Sequence, residues 1–191
     1  MNKRSGTESR KKIVDAARHV FSSRGYSNAS IRDIASRAGI SVGGVYLYFR
    51  NKEELYRNLI GDGMLDMSRK TLKAVEHARS AAQALSNFLK LYLEYGLEHK
   101  EFILLHIRER GFAFGKDEQR QIFRKEQREL IKRILVKGMK EGGFRKHDAE
   151  ETAKIIQGCL RGIILSIAVD NDVIANPETL TDFVLQGLLK R

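Results

Sequence analysis

An all-α fold is what this 191-residue sequence predicts, on three observations. It contains a single proline, Pro177, so little in it forbids helix continuation. Runs of alternating β-branched and polar residues, the mark of a half-buried strand, are few. Apolar residues recur instead at helical spacing along the chain, punctuated by Gly, Ser, Asn and Asp where helices start and stop. The expected architecture is a small three-helix unit followed by a helical bundle, about nine helices in all.

The elements follow in order. Ile13, Ala16, Ala17, Val20 and Phe21 recur at i, i+3, i+4, i+7 and i+8 and share one face of a first helix. Thr7 or Ser9 is placed to cap its start and Gly25 to stop it. A second helix opens at Ser30, with Asp33 in a capping-box-like pair. Ile31, Ile34, Ala35 and Ala38 form its inner face, and Gly39 closes it. A short third helix runs from Ser41 to near Phe49, where Asn51 and Glu54 start a long fourth with Leu55, Leu59 and Met67 on its apolar side. Further helices are expected over 80–99, 101–113, 117–141, 148–169 and 177–190. Gly142 and Gly143 separate two of these, Asp148 with Glu151 caps the next, and Asn176–Pro177 opens the last. The domains are then 1–52, a helix-turn-helix unit, 53–78, a linking helix, and 79–191, the bundle.

Charge is unevenly spread. Residues 1–60 carry twelve Lys/Arg against five acids, whereas the remaining 131 carry 23 against 19. A basic first third suits a polyanion, although many basic faces are merely solvated, and that alternative applies to Arg10, Lys11 and Lys12. Cys159, the only cysteine, excludes an intrachain disulfide and reads as a small buried residue. The N-terminus has no apolar stretch for a signal peptide, and the longest apolar run, Gly162–Val169, is too short to span a bilayer. A soluble, cytoplasmic chain without a membrane partner is expected. The five histidines lack metal-ligand spacing, and no phosphate loop, nucleophile elbow or carboxylate pair is present. No metal, cofactor or catalytic residue is therefore expected.

Residues 30–49 form two short helices about a tight turn at Gly39, the helix-turn-helix arrangement, whose second helix can enter the DNA major groove. Gly43 and Gly44 near the start of that second helix each cost about 1 kcal/mol relative to Ala. Small residues there let the backbone come close to another surface. Tyr46 and Tyr48 add hydroxyls able to reach phosphate oxygens, although Tyr46 is also a residue type at home in a core. The stretch SIRDIASRAGISVGGVYLYFRNKEEL, Ser30 to Leu55, resembles the DNA-binding domain of the TetR family of bacterial regulators. The likeness rests on Ala38–Gly39, Ser41, Gly43, Tyr46, Phe49 and Asn51–Lys52–Glu53. It extends over residues 9–60; beyond them only helix count and the Gly143–Phe144–Arg145 turn are similar.

The resemblance implies that Ser30 contacts phosphate and that Ser41, Val42, Gly43 and Gly44 approach base edges and backbone. It also implies contacts from Tyr46, Leu47 and Tyr48, and a phosphate held by Lys52. Val42 and Leu47 are apolar where many relatives are polar, so readout would lean on thymine methyls and DNA shape. The expected partner is double-stranded DNA, read as a palindrome by a homodimer, since two copies are needed about one DNA turn apart. Gly158, Leu160, Ile163, Ile164, Ile167 and Phe183 are the expected dimer seam, unless these stripes serve the chain's own core. The resemblance further implies a small-molecule effector that releases DNA, making the chain a repressor. Tyr92, Tyr95, Phe102, His106 and Arg161 are the candidates to bind it, the first four being equally ordinary core residues. Gly61 and Gly63 weaken the fourth helix and mark a possible soft point or a close packing contact. The alternative function is a non-specific architectural DNA binder.

Overall fold

The computed structural model describes residues 3–100, 103–104, 118–169 and 176–190. Among them are eight helices: α1 (Lys3–Asn28), α2 (Ile31–Ala38), α3 (Val42–Tyr46), α4 (Lys52–Glu76), α5 (Ala81–Glu98), α6 (Glu118–Lys140), α7 (Ala149–Val169) and α8 (Pro177–Leu188). The helix expected over 101–113 lies almost wholly outside the described residues. The chain divides into two compact units, one reaching to Gly63 and the other starting at Met64, so the division falls within α4.

In the first unit the expected inner faces are buried: Ile13, Ala16, Ala17, Val20 and Phe21 from α1, Ile31, Ile34 and Ala35 from α2, with Ala38 half-buried, and Leu55 and Leu59 from α4, which Tyr56 joins. Gly25 does not end α1; it kinks it at φ 79°, and the chain resumes helix to Asn28. Beyond the kink, the Tyr26 ring closes a cluster with Phe21 and Tyr56, centroids 5.7 and 4.9 Å away. Ser30 and Asp33 cap α2 reciprocally: the Asp33 N–H donates to Ser30 Oγ at 3.1 Å, and the Ser30 N–H donates to Asp33 Oδ2 at 3.1 Å. Such a cap is worth about 1 kcal/mol. Gly39 takes the left-handed conformation, φ 66°, that terminates α2. Asn51 caps α4 through the Glu54 N–H at 2.8 Å, while the Glu54 carboxylate accepts from the Arg50 N–H, one residue before the expected partner.

The second unit is built on a core of Leu85, Phe88, Leu89 and Leu93 from α5, Ile131, Ile134 and Leu135 from α6, Ala153, Ile156, Leu160, Ile163 and Ile167 from α7, and Leu180 and Leu188 from α8. Two glycines let elements approach closely. A Cβ on Gly138 would stand 2.1 Å from the Phe144 ring, and one on Gly96 would stand 2.7 Å from Ile164. Phe144 is held over Gly138 because the Gly143–Phe144–Arg145 turn bonds the end of α8, with Arg145 N–H to Leu188 O at 2.8 Å and Lys190 N–H to Gly143 O at 3.1 Å. Asp148 and Asn176 cap α7 and α8 through the N–H groups of Glu151 (2.9 Å) and Thr179 (2.8 Å).

This core revises the expected dimer seam. Leu160, Ile163 and Ile167 are buried within their own unit, and Ile164 packs on Gly96, so that stripe is the inner face of α7. The opposite face carries Ile155, 64% exposed, with Gly158, Cys159 and Gly162 also exposed. Cys159 is thus a surface residue, not a buried one. Phe183 on α8 is 75% exposed.

Candidate nucleic-acid interface

The exposed surface of α3 is built from its short, two-sided sequence. Val45 and Phe49 are fully buried and anchor the segment, while Val42, Tyr46 and Leu47 are 39%, 51% and 73% exposed. Ser41 starts the helix by accepting from the Gly44 N–H at 3.0 Å. The two glycines differ. A Cβ on Gly44 would meet Ile40 at 2.6 Å and Ser41 Oγ at 3.1 Å, so this turn requires a glycine for its own packing. A Cβ on Gly43 would meet nothing within 4 Å. No described residue asks for glycine at position 43, in a helix that glycine weakens.

The remaining sequence-derived positions fall as follows. Ser30 is exposed, and its hydroxyl both caps α2 and donates to Asp33 Oδ2 at 2.6 Å. That hydroxyl is the largest influence holding the Asp33 carboxyl below the usual carboxylate range, with Arg24, 2.7 Å away, acting in the same direction. Tyr48 is half-buried, and its hydroxyl lies 3.8 Å from where a Cβ on Gly6 would stand, so the side chain runs back toward the first turns of α1. Lys52 is engaged within the chain: its ammonium donates to the carbonyls of Tyr26 at 2.7 Å and Ala29 at 3.0 Å. Arg10, expected to be a solvated or phosphate-facing cation, reaches Asn58 at 3.1 Å and Asp62 at 3.3 Å. Sequence reasoning passed over Arg32, Arg37 and Arg50. All three are exposed, and their guanidinium groups form no ion pair or hydrogen bond among the described residues. Their only signal was that each is a basic residue on or beside the helix-turn-helix.

In the second unit, Tyr92 and Tyr95 are half-buried on the second half of α5 and Arg161 is exposed on α7. Tyr92 stacks near Phe88 with centroids 5.8 Å apart, and Tyr95 sits 4.2 Å from His99. Burial pushes the Tyr92 phenol up, against the opposing pull of Arg161 and Arg124. Phe102 and His106 lie outside the described residues. Among the described residues no three His, Cys, Asp or Glu gather as a metal site, and no helix is long and apolar enough to cross a membrane.

An exposed reading helix braced by two others, joined through one long helix to a separate helical unit, is the organisation of a helix-turn-helix transcriptional regulator. Residues 13–59 match the family model for bacterial regulatory proteins of the tetR family. An uncharacterized HTH-type transcriptional regulator, YfiR of Bacillus subtilis, is 33% identical over 137 residues, which is 69% of this chain and 66% of that protein. The matched part thus spans just under two thirds of that relative's length. The chain belongs to the TetR family of bacterial transcriptional regulators. Solved structures extend the likeness of fold over the chain. A TetR-family transcriptional regulator from Pectobacterium atrosepticum superposes with a TM-score of 0.75 at 22% identity, covering 100% of this chain and 99% of that one. The transcriptional regulator FadR from Bacillus subtilis, in complex with stearoyl-CoA, gives 0.72 at 22% identity, covering 92% and 95%.

Proposed function

We propose that this chain is a dimeric, effector-responsive repressor that reads a palindromic operator with α3. The carrying observation is the α3 surface: Val42, Tyr46 and Leu47 exposed around a glycine, Gly43, that has open space before it. A major groove is a surface such a helix fits, because backbone can approach the bases where the side chain is absent. Ser41 and Gly44 place the helix start, and Ser30, Arg32, Arg37 and Arg50 supply phosphate contacts around it. Val42 and Leu47 favour thymine methyls over polar base edges.

A second copy is needed to give a helix of this size specificity. The outward face of α7, with Ile155, Gly158, Cys159 and Gly162, and Phe183 of α8 provide an apolar seam for it, in place of the inner stripe. A Cβ on Gly158 or Gly162 would meet nothing within 4 Å among the described residues, and their smallness suits close helix approach by a partner. An effector is held in the second unit, with Tyr92, Tyr95 and Arg161 the described residues offered to it. That FadR was solved with stearoyl-CoA supports a ligand role for this fold without naming the ligand here.

Gel-shift titration on DNA upstream of the gene itself and on a scrambled duplex tests the reading. Preference for one palindromic segment, bound by two copies, is expected. Uniform affinity for both duplexes would instead indicate an architectural DNA binder, and no binding would exclude both.

A further inference from the structure

We propose that the effector of this chain is an organic anion, an apolar body bearing a carboxylate or phosphate group, and that Arg120, Arg124 and Arg161 take the charged group beside the Tyr92 ring. This rests on, and deepens, the reading that the second unit holds an effector. The inner face of α6 runs through Arg120, Arg124, Gln127, Ile131, Ile134 and Gly138, at alternating spacings of four and three. From Ile131 onward that face belongs to the apolar core of the unit. Before it, the same face turns cationic and polar: Arg120 is 8% exposed, Gln127 3%, and Arg124 is half-buried. A face needed only to fill a core would keep its apolar stripe. Guanidinium groups drawn into a bundle carry a desolvation cost that apolar residues of similar volume avoid. What they add is a planar fork of five N–H donors, matched to a carboxylate or phosphate.

Three other helices of the unit bring polar groups to this end of α6. On the part of α4 that belongs to the unit, the buried Thr71 hydroxyl lies 3.4 Å from Gln127 Oε1, and Gln127 Nε2 donates to Ser68 Oγ at 3.2 Å. From α7, Gln157 Nε2 donates to the Arg124 carbonyl at 2.7 Å, and Arg161 follows one turn later. From α5 comes Tyr92, and the charges of Arg161 and Arg124 both act on its phenol, against the burial that pushes it up. Two cations from different helices thus stand toward one ring. All three arginines also interact within the chain, which holds them in place. On its other side the Tyr92 ring adjoins the core, with Phe88 stacked at 5.8 Å. A cationic wall beside an aromatic, apolar one suits a molecule with both characters: a neutral ligand would leave the guanidiniums unused, and an inorganic ion would leave the apolar wall unused.

Three probes of one chain length test this: octanoate, octyl phosphate and octanol. Their binding to the full chain is followed by calorimetric titration and by the rise in melting temperature that a ligand of the folded state produces. At least one anion is expected to bind about tenfold or more tightly than octanol, the worth of one hydrogen bond to a charged group. The tighter of the two anions identifies the head group as carboxylate or phosphate. Arg161→Gln alters an exposed position, which the fold tolerates. It should weaken that anion several-fold and leave octanol unchanged. Arg124→Gln combined with Arg161→Gln should bring the anion to within about twofold of octanol. Equal affinity of wild type for all three probes would overturn the proposal, as would binding of none. So would a preference for the anion that survives Arg161→Gln in full, because the charged group would then be held elsewhere. Operator affinity of the wild type is measured on the same preparation without probes. A chain that binds its operator but shows no preference for an anion refutes this inference alone, whereas one that binds no DNA refutes the reading beneath it.

Discussion

The two units use glycine in opposite ways. In the bundle, Gly96 and Gly138 lie directly beneath Ile164 and Phe144, and an added Cβ would stand at 2.7 and 2.1 Å from them. In the reader, Gly43 faces open space in a helix it weakens. The first kind of glycine is explained by the chain's own packing. The second is not explained by packing among the described residues, which is what a surface that meets a partner would show. Gly158 and Gly162 on the outward face of α7 are of the second kind, which is why that face, and not the buried stripe of Leu160 and Ile163, is the proposed meeting place of two copies.

Substitutions that add a Cβ sharpen this division. Gly138→Ala carries the largest expected loss. The Phe144 ring is 3% exposed and tied down by the bonds around Gly143 and Arg145, so it has little room to move. About 1–3 kcal/mol of destabilisation is expected, read as a fall in melting temperature of about 2–4 °C per kcal/mol. Gly96→Ala meets the stiff β-branched Ile164 and should cost toward the lower end of that range, about 1 kcal/mol. If either variant melts like the wild type, close packing is not what keeps that glycine.

On the open side, Gly158→Glu should leave the helical content of the chain intact while raising the dimer dissociation constant roughly tenfold or more, equivalent to about 1.4 kcal/mol. Sedimentation over a concentration series reads this, and an unchanged dimer would remove α7's outward face from the seam. The smallest effect is expected at the reader's cap. The Asp33 carboxyl is held below its ordinary pKa, chiefly by the Ser30 hydroxyl. Its contribution to stability is therefore present above the unfolded carboxylate pKa of about 3.9 and is lost as pH falls through the lower folded value. Wild type and Asp33→Asn should differ in melting temperature at about pH 5 and converge toward about pH 2; a constant difference would mean that the charge is not what caps α2.

How much of this was legible in the sequence divides along the same line between local and distant causes. Helix starts at Ser30, Asn51 and Asp148 could be read because a cap and its N–H partner sit three residues apart, and the start at Asn176 because a proline follows it. Ser80, which caps α5 through the Gln83 N–H at 3.1 Å, carried the same signal and was passed over. The inner faces of α1 and α2 followed from periodicity. Periodicity could not say whether the Leu160–Ile167 stripe meets its own bundle or a second chain, because an apolar face looks the same in either case. Nor could it show that Lys52 reaches back 26 positions to Tyr26, or that of Gly43 and Gly44, adjacent and identical, only Gly44 is crowded by a described neighbour.

That last pair offers the most direct test of the claim that α3 is the reading surface. Melting temperature and operator affinity are measured together for Gly43→Ala. The added methyl has free space within the chain and removes a helix-weakening residue, so stability should be unchanged or raised by up to about 1 kcal/mol. Operator affinity should fall roughly tenfold, about 1.4 kcal/mol, because the methyl intrudes where the backbone approaches the groove. A variant that is as stable as the wild type and binds the operator equally well would contradict the account.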